Sequence, residues 1–387
     1  MSIAGPPLVV IGNPENRRVA MFADAARRLG LSLPRVIAYE RLLTERGFEL
    51  AELVPNAALV RIESPGENAA VQTALIRLGA QLRGLDPIRT TAELAAARMH
   101  GRIAGADLWY AGFCDLLQRI ESELSPLRVH WLNHPADIPV LFDKVRCQSV
   151  LAGAGVQIPS PLSNGDEAGP ECCDELLARL DARGWLRVFV KLRFGSSASG
   201  VVALERSRRG MQATTSVELV RERGEVQLFN SLRIVRYTEP ADIAAIIDAL
   251  CSQGVHVEQW VPKATHAGRT FDLRIVTIGG EPSHVVMRTS RGPITNLHLG
   301  NQRGELPELF AKWSHDAREA AWSTCRAAAA AFPRCHYLGI DLAVLTGLSR
   351  HAVFELNAFG DLLPGIVDDA GRDTYTAELA AAFRPGG

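Results

Sequence analysis

The sequence predicts an α/β protein built from more than one packed unit, and three observations carry that prediction. Short apolar strands alternate with helical patterns through residues 8–78, as in a parallel sheet. Beyond residue 133 the pattern changes to strand–turn–strand units separated by helices. The 387 residues are 47% hydrophobic and 22% charged, enough apolar material for two or three cores.

In the first unit Leu8–Ile11 reads as a strand that breaks at Gly12-Asn13-Pro14. A helical pattern over 15–29 follows, then strands at 36–38 and 58–62 and a helix through Leu78. No GxGxxG follows Gly12, so this is no dinucleotide fingerprint. Asn13, Asn16, Arg17 and the 63–68 loop lie at strand ends, where ligands of open sheets sit, and are either substrate contacts or plain turns. Residues 90–124 read as one helix whose aromatics (Trp109, Tyr110, Phe113) suit core packing. A strand at 129–132 precedes the expected domain boundary. Helices are then expected through Leu151, over 172–183, 241–253 and 307–331. Strands are expected at 186–191, 201–204, 226–229, 231–236, 256–262, 270–278 and 282–288.

Composition excludes some functions. A net charge of −1 gives no long-range pull on nucleic acid or an anionic membrane. No signal-like N-terminus and no apolar run of about 18 residues is present, so a cytoplasmic protein is expected. Seven cysteines without CxxC spacing argue against a disulfide framework or a zinc site. No helix shows a sustained heptad, which leaves the oligomeric state open. Only four of 42 basic residues are lysines: Lys144, Lys191, Lys263 and Lys312. A compact ammonium on a flexible stem reaches phosphate as a point charge, so the surviving lysines are candidate functional groups.

Two stretches carry chemistry. Residues 336–357 read as a hairpin centred near Leu348, which sets Asp341 opposite Glu355. Alternation puts Asp341, Glu355 and Asn357 on one face, and Ile340, Leu342, Val344, Phe354 and Leu356 on the other. Opposed carboxylates about 5 Å apart suit a hard cation such as Mg²⁺; the alternative is two unrelated solvent-facing acids. The loop Arg193–Gly200, rich in Gly and Ser, allows close backbone approach to an anion, though such loops are also common hairpin turns.

In order and spacing these pieces resemble the ATP-grasp superfamily, especially its branch of ribosomal-protein glutamate ligases and glutathione synthetases. The resemblance covers roughly 133–368. It rests on Asp143-Lys144, the turn 155–159, Lys191 with its Gly/Ser loop, Val257 to Val261, Asp272-x-Arg274, Arg288, Asn296, Gly339-Ile340-Asp341 and Glu355-Leu356-Asn357. It implies a Rossmann-like pre-ATP-grasp α/β domain (1–132), a central lid subdomain (133–260) and a C-terminal subdomain with the metal site (261–387).

The resemblance also implies roles. Lys144 and Lys191 would contact nucleotide phosphates, under a flap containing Gly195, Ser196, Ser197 and Gly200. Glu258, Gln259, Trp260 and Val261 would form the adenine hinge. Asp341, Glu355 and Asn357 would hold two Mg²⁺ ions. Arg288, with Arg274 and Asn296, would face the γ-phosphate and a substrate carboxylate. The chain departs from the branch in its Glu-Gln order at 258–259 and in lacking an evident acidic ribose partner near 263–266. The implied activity is an ATP- and Mg²⁺-dependent carboxylate–amine ligase acting through an acyl phosphate. Its partners would be a small-molecule or peptide carboxylate and an amine, without nucleic acid or membrane. Rival readings are a ligase or macrocyclase of ribosomal peptides, a small-molecule kinase and an inactive nucleotide-binding scaffold.

Overall fold

The apolar N-terminal strand forms where the sequence places it, and every residue of β1 (Leu8–Gly12) is buried. The computed structural model describes residues 5–45, 47–98, 101–163, 165, 167–195, 198–208, 210–222 and 224–383. After β1 come α1 (Arg17–Arg28), β2 (Arg35–Ala38), α2 (Tyr39–Thr44), α3 (Leu50–Leu53) and β3 (Leu59–Ile62). Then follow α4 (Ala69–Leu82), α5 (Pro87–Arg98), α6 (Ala106–Leu124) and β4 (His130–Trp131). The four strands form a parallel sheet in the order β2-β1-β3-β4. The helical pattern over 90–124 is two helices rather than one, because Arg102 leaves the helix to bridge Phe229. α4 and α6 cross at two glycines. A Cβ on Gly79 would stand 1.9 Å from the Leu108 carbonyl oxygen, and one on Gly112 2.0 Å from that of Leu75.

The middle of the chain gives α7 (Ile138–Phe142), α8 (Lys144–Gly153), α9 (Cys173–Arg183), β5 (Arg187–Leu192), β6 (Val202–Ser207) and β7 (Gly210–Glu222). It ends with β8 (Glu225–Tyr237), α10 (Pro240–Cys251) and β9 (Val255–Gln259). Its five strands lie in the order β8-β7-β6-β5-β9. Val188, Val190 and Leu192 alternate onto the face that packs Leu176 and Leu180 of α9 and Ile243, Ile246 and Ile247 of α10. Phe189 and Lys191 therefore point to the opposite face. The two strands expected at 226–236 are one, running through Asn230, and it pairs with β7, which the sequence pattern did not reveal.

The last sheet uses β10 (Thr265–His266), β11 (Arg269–Ile278), β12 (Glu281–Ser290), β13 (Gln302–Arg303), then, after α11 (Leu306–Lys312) and α12 (His315–Ala330), β14 (Tyr337–Val344) and β15 (His351–Asn357). α13 (Thr374–Ala382) ends the described elements. The strand order is β13-β12-β11-β14-β15, with β10 on β11. Phe271, Leu273, Ile275, Ile340 and Leu342 share a core with Trp313, Ala321, Cys325 and Ala328. The single helix expected over 307–331 is broken, because Ser314 caps a new helix by accepting from Ala317 N.

Asp341 pairs with Glu355 and Gly339 with Asn357, as the hairpin pattern predicts, but the register then shifts so that Leu342 faces Val353. Phe354 is thus the extra residue of a β-bulge. Val353 takes the core place expected for Phe354, and Phe354 turns its ring toward Lys191 and Lys263.

The helix crossing is directly testable. Gly79→Ala or Gly112→Ala should each destabilise the protein by about 1–3 kcal/mol through overpacking against backbone. Gly153→Ala, whose Cβ would meet nothing within 4 Å, should leave the urea midpoint unchanged or slightly raised. Equal midpoints for all three variants would contradict the crossing.

Candidate active-site cleft

The opposite faces of the second and third sheets meet at a cluster of paired charges. Asp143 starts α8 by accepting from Val145 N and Arg146 N at 3.1 and 3.2 Å. The same carboxylate grips Arg193, just beyond β5, through Nε at 2.8 Å and Nη2 at 2.6 Å. This tie brings the start of α8 to the end of β5, and so Lys144 to the region of Lys191. The Lys144 ammonium donates to the Gly195 carbonyl and to Glu355 Oε1, the latter at 2.9 Å. It therefore links the small-residue loop to the hairpin.

Lys191 forms an ion pair with Glu258, whose other oxygen accepts from Gln148 Nε2 at 2.9 Å and lies 3.3 Å from His256 Nε2. Its ammonium also stands 5.5 Å from the Phe354 ring centroid, within cation–π range. On the third sheet Arg274 donates to Asp341 at 2.5 and 3.3 Å, and Arg288 Nη1 reaches the same carboxylate at 3.1 Å. Arg288 Nε donates to Asp272 at 2.7 Å, and the other Asp272 oxygen meets Lys263, at 3.2 Å, and the Thr295 hydroxyl.

The structure thus brings together Lys144, Lys191, Glu258, Arg274, Arg288, Asp341 and Glu355. Asn357 sits on the same hairpin, where its Nδ2 donates to the Gly339 carbonyl at 3.3 Å, leaving its amide oxygen turned from that bond. Asn296 stands apart from Arg288's bonds: its side chain caps the turn Leu297–Leu299 by accepting from His298 N. In the hinge, Gln259 N donates to Ser160 O and Trp260 N to Arg187 O. The Trp260 ring packs 5.3 Å from Phe189, and Val261 follows half-buried. Gly195 N bonds Leu192 O, and Gly200 N bonds Asn230 Oδ1; Ser196 and Ser197 lie outside the described residues. At the N-terminal sheet Asn16 caps α1, and Asn13 ties down Pro65 and Gly66.

Sequence reasoning gave Lys263 and Asp272 no specific contact, did not single out Gln148, and placed Phe354 on the core face. The scarcity of lysine was the available signal for Lys263: three of the four lysines are in this cluster, and only Lys312 is exposed elsewhere. Phe354 carried no signal, because the bulge that reorients it leaves the alternation of apolar residues unchanged.

A hard-cation site fits the donors present. Asp341, Glu355 and the Asn357 amide oxygen come from adjacent strands and are all oxygen ligands of the kind Mg²⁺ takes. Among the described residues no group of three or more His, Cys, Asp or Glu side chains is placed to hold a metal ion; the set here is two carboxylates and an amide.

Burial alone would raise the carboxyls here, but their cations win. Lys191 and His256 hold Glu258 down at about 2, and Arg288 and Lys263 hold Asp272 at about 2, against ordinary values of 4.5 and 3.8. Burial, opposed by Arg274 and Arg288, leaves Asp341 lowered as well. Burial lowers the Lys263 ammonium against the pull of Asp272. Because the two carboxyls are depressed on folding, the stability they add is complete above about pH 4.5 and drains away as pH falls toward 2. Urea midpoints of the wild type should fall across that window. Glu258→Gln and Asp272→Asn should be weaker than wild type at pH 7, each with a flatter dependence below pH 4.5. Parallel pH profiles for variants and wild type would show that the two carboxyls are not so held.

No family model matches the chain, and no curated protein matches its sequence. Among solved structures, the ATP-grasp ligase PsnB complexed with minimal precursor is similar at a TM-score of 0.52 and 17% identity, over 98% of this chain and 99% of that one. PsnB with a phosphomimetic variant of its minimal precursor, Mg and ADP gives 0.51 and 17%, over 98% and 99%. The D-cycloserine synthetase DcsG gives 0.52 and 15%, over 97% and 99%. At these identities the likeness is one of architecture, and over nearly its whole length the chain has the ATP-grasp fold.

Proposed function

We propose that the chain is an ATP- and Mg²⁺-dependent carboxylate–amine ligase that forms ADP and a C–N bond through an acyl phosphate. The observation that carries this reading is the convergence of Lys144, Lys191, Arg274 and Arg288 on one cleft that also presents the opposed carboxylates of Asp341 and Glu355. In this reaction a substrate carboxylate attacks the γ-phosphate of ATP, ADP leaves, and an amine then displaces phosphate from the acyl phosphate. Such a transfer needs alignment and charge neutralisation more than covalent help from the protein. Mg²⁺ on Asp341, Glu355 and Asn357 would neutralise the phosphates.

The remaining work falls to named side chains. Lys144 and Lys191 would move from their carboxylate partners to phosphate oxygens, a short swing for a flexible ammonium. Arg288, buried and fixed through Nε by Asp272, keeps Nη1 directed at Asp341, which suits it to hold the transferred phosphoryl group beside the metal. Burial works to lower the Arg288 guanidinium, but its carboxylate partners Asp272 and Asp341 outweigh that and raise it, so it stays charged throughout. Glu258 and the backbone to Val261 would frame the adenine. The 195–200 loop, tied to Lys144 through Gly195, would shield the acyl phosphate from water.

The fold neighbours differ by name, PsnB being a ligase complexed with a minimal precursor and DcsG a D-cycloserine synthetase, so architecture alone does not select the acid. ATP, Mg²⁺, a substrate acid and hydroxylamine should yield a hydroxamate. Asp341→Asn and Glu355→Gln should each lower that yield by at least about 100-fold, with near-UV circular dichroism retained because the apolar face of the hairpin is untouched. A stable phosphorylated product that resists hydroxylamine would replace the ligase with a kinase. Loss of one water per bond in the intact mass of a peptide substrate would identify a macrocyclase.

A further inference from the structure

Beside the cluster, a cleft of about 590 Å³ opens between the outer strands of the second sheet and the loop after β12. Its walls include Thr214, Arg236, Arg269, Ser290, Arg291 and Ile294, and no carboxylate lines it. Every buried cation of the reaction centre has a carboxylate partner, whereas none of these three arginines forms an ion pair among the described residues. Arg269 donates only to the hydroxyl and carbonyl of Thr289, at 3.3 and 3.5 Å. Arg236 and Arg291 are exposed.

The cleft is formed by a loop fixed without a ligand. Asn301 Nδ2 donates to the carbonyls of Ile294 and Asn296, both at 2.9 Å, and the Thr270 hydroxyl donates to that of Gly292 at 2.7 Å. Ile294 packs against Phe189 and Ala203, which seats the loop on the second sheet.

Register connects the cleft to the reaction centre. Glu258, Phe189, Ala203, Thr214 and Arg236 form one in-register row across β9, β5, β6, β7 and β8. Their side chains share a face, and at about 4.8 Å per strand Arg236 stands roughly 19 Å across the sheet from Glu258. On the third sheet Ser290 follows Arg288 by two residues, hence on the same face and about 7 Å further along. A molecule whose reacting carboxylate lies at Arg288 would therefore extend its remainder toward Arg236, Arg269 and Arg291.

Resting on the ligase reading above, we propose that this cleft binds the non-reacting carboxylates of the acid substrate, which is thus a polycarboxylate. A guanidinium offers a carboxylate two parallel donors, and three of them would favour a substrate with several acidic groups over one with a single acid. The same chemistry is available in a small tricarboxylic acid or in an acidic peptide segment.

The test uses the full chain with MgADP, titrated calorimetrically at low salt with acetyl-tetraglutamate amide, with tricarballylate and with acetyl-tetraglutamine amide. At least one carboxylate probe should bind, and the tighter one identifies the source; the glutamine peptide should not. The double variant Arg236→Gln/Arg291→Gln should weaken the binding probe about tenfold or more, while MgATP affinity stays at the wild-type value. The proposal is overturned if neither carboxylate probe binds, if the variant binds as the wild type does, or if the glutamine peptide binds equally. If MgATP does not bind the wild type but arginine-dependent carboxylate binding persists, the cleft stands and the ligase reading falls.

Discussion

Five cations, Lys144, Lys191, Lys263, Arg274 and Arg288, can share one partly dry cleft only because four carboxylates face them. Removing an ion from water costs several kcal/mol even after relaxation, and here Glu258 and Asp272 are almost fully buried. Each must therefore be paired, and the partners come from different parts of the fold. Lys144 opens α8 and Glu355 lies on β15; Lys191 is on β5 and Glu258 on β9; Arg288 is on β12 and Asp341 on β14. The charge pairs thus constrain how helix and sheets meet, as well as filling a site. The two sheets approach where Lys191 crosses Phe354.

This pairing also bears on the proposed chemistry. A nucleotide triphosphate is itself a polyanion, and a divalent cation is its natural complement. With both bound, Lys144 would exchange Glu355 for phosphate and Glu355 would be free to help hold the metal. Asp272 is held at once by Arg288, Lys263 and Thr295. Its part in the proposed reaction is to position Arg288.

What the sequence revealed and what it hid follow from the range of the forces involved. The opposition of Asp341 and Glu355 depends on a local turn and a period of two, so it could be read from a stretch of some twenty residues. The bulge at Phe354 preserves that apolar pattern while shifting register, so it could not. β7 was hidden because its buried run passes through Thr214, Thr215 and Ser216, whose hydroxyls find partners only after folding: Thr215 donates to Val201 O and Ser216 to Ala198 O. Lys191 was legible through the scarcity of lysine and its place before a Gly/Ser loop. Lys263 has the same scarcity but no such loop, and its partner Asp272 is meaningful only once β11 turns it inward.

The least legible feature is Arg61, which lies within the strand expected at 58–62. It is fully buried, and pairs with Glu63, Asp361 and Glu378 beneath the rings of Phe22, Tyr337 and Tyr375. Arg18 adds a second guanidinium, which holds Asp361 and the Phe359 carbonyl at 2.7 Å each. Two guanidiniums against three carboxylates would leave excess negative charge in the interior. Burial, against the pull of Arg61 and with the help of Asp361, raises Glu378 well above its usual value, which favours its neutral form and balances the cluster. The segment so anchored continues directly into Gly360, whose carbonyl accepts from Arg274 Nη1 at 3.3 Å. Gly360 lies so close to Gly339 that a Cβ on either would come within 2.4 Å of the other's Cα. The N-terminal sheet, through Arg61 and Arg18, thereby fixes the backbone against which Arg274 and the strand of Asp341 are set. The N-terminal sheet thus gives the cleft mechanical support.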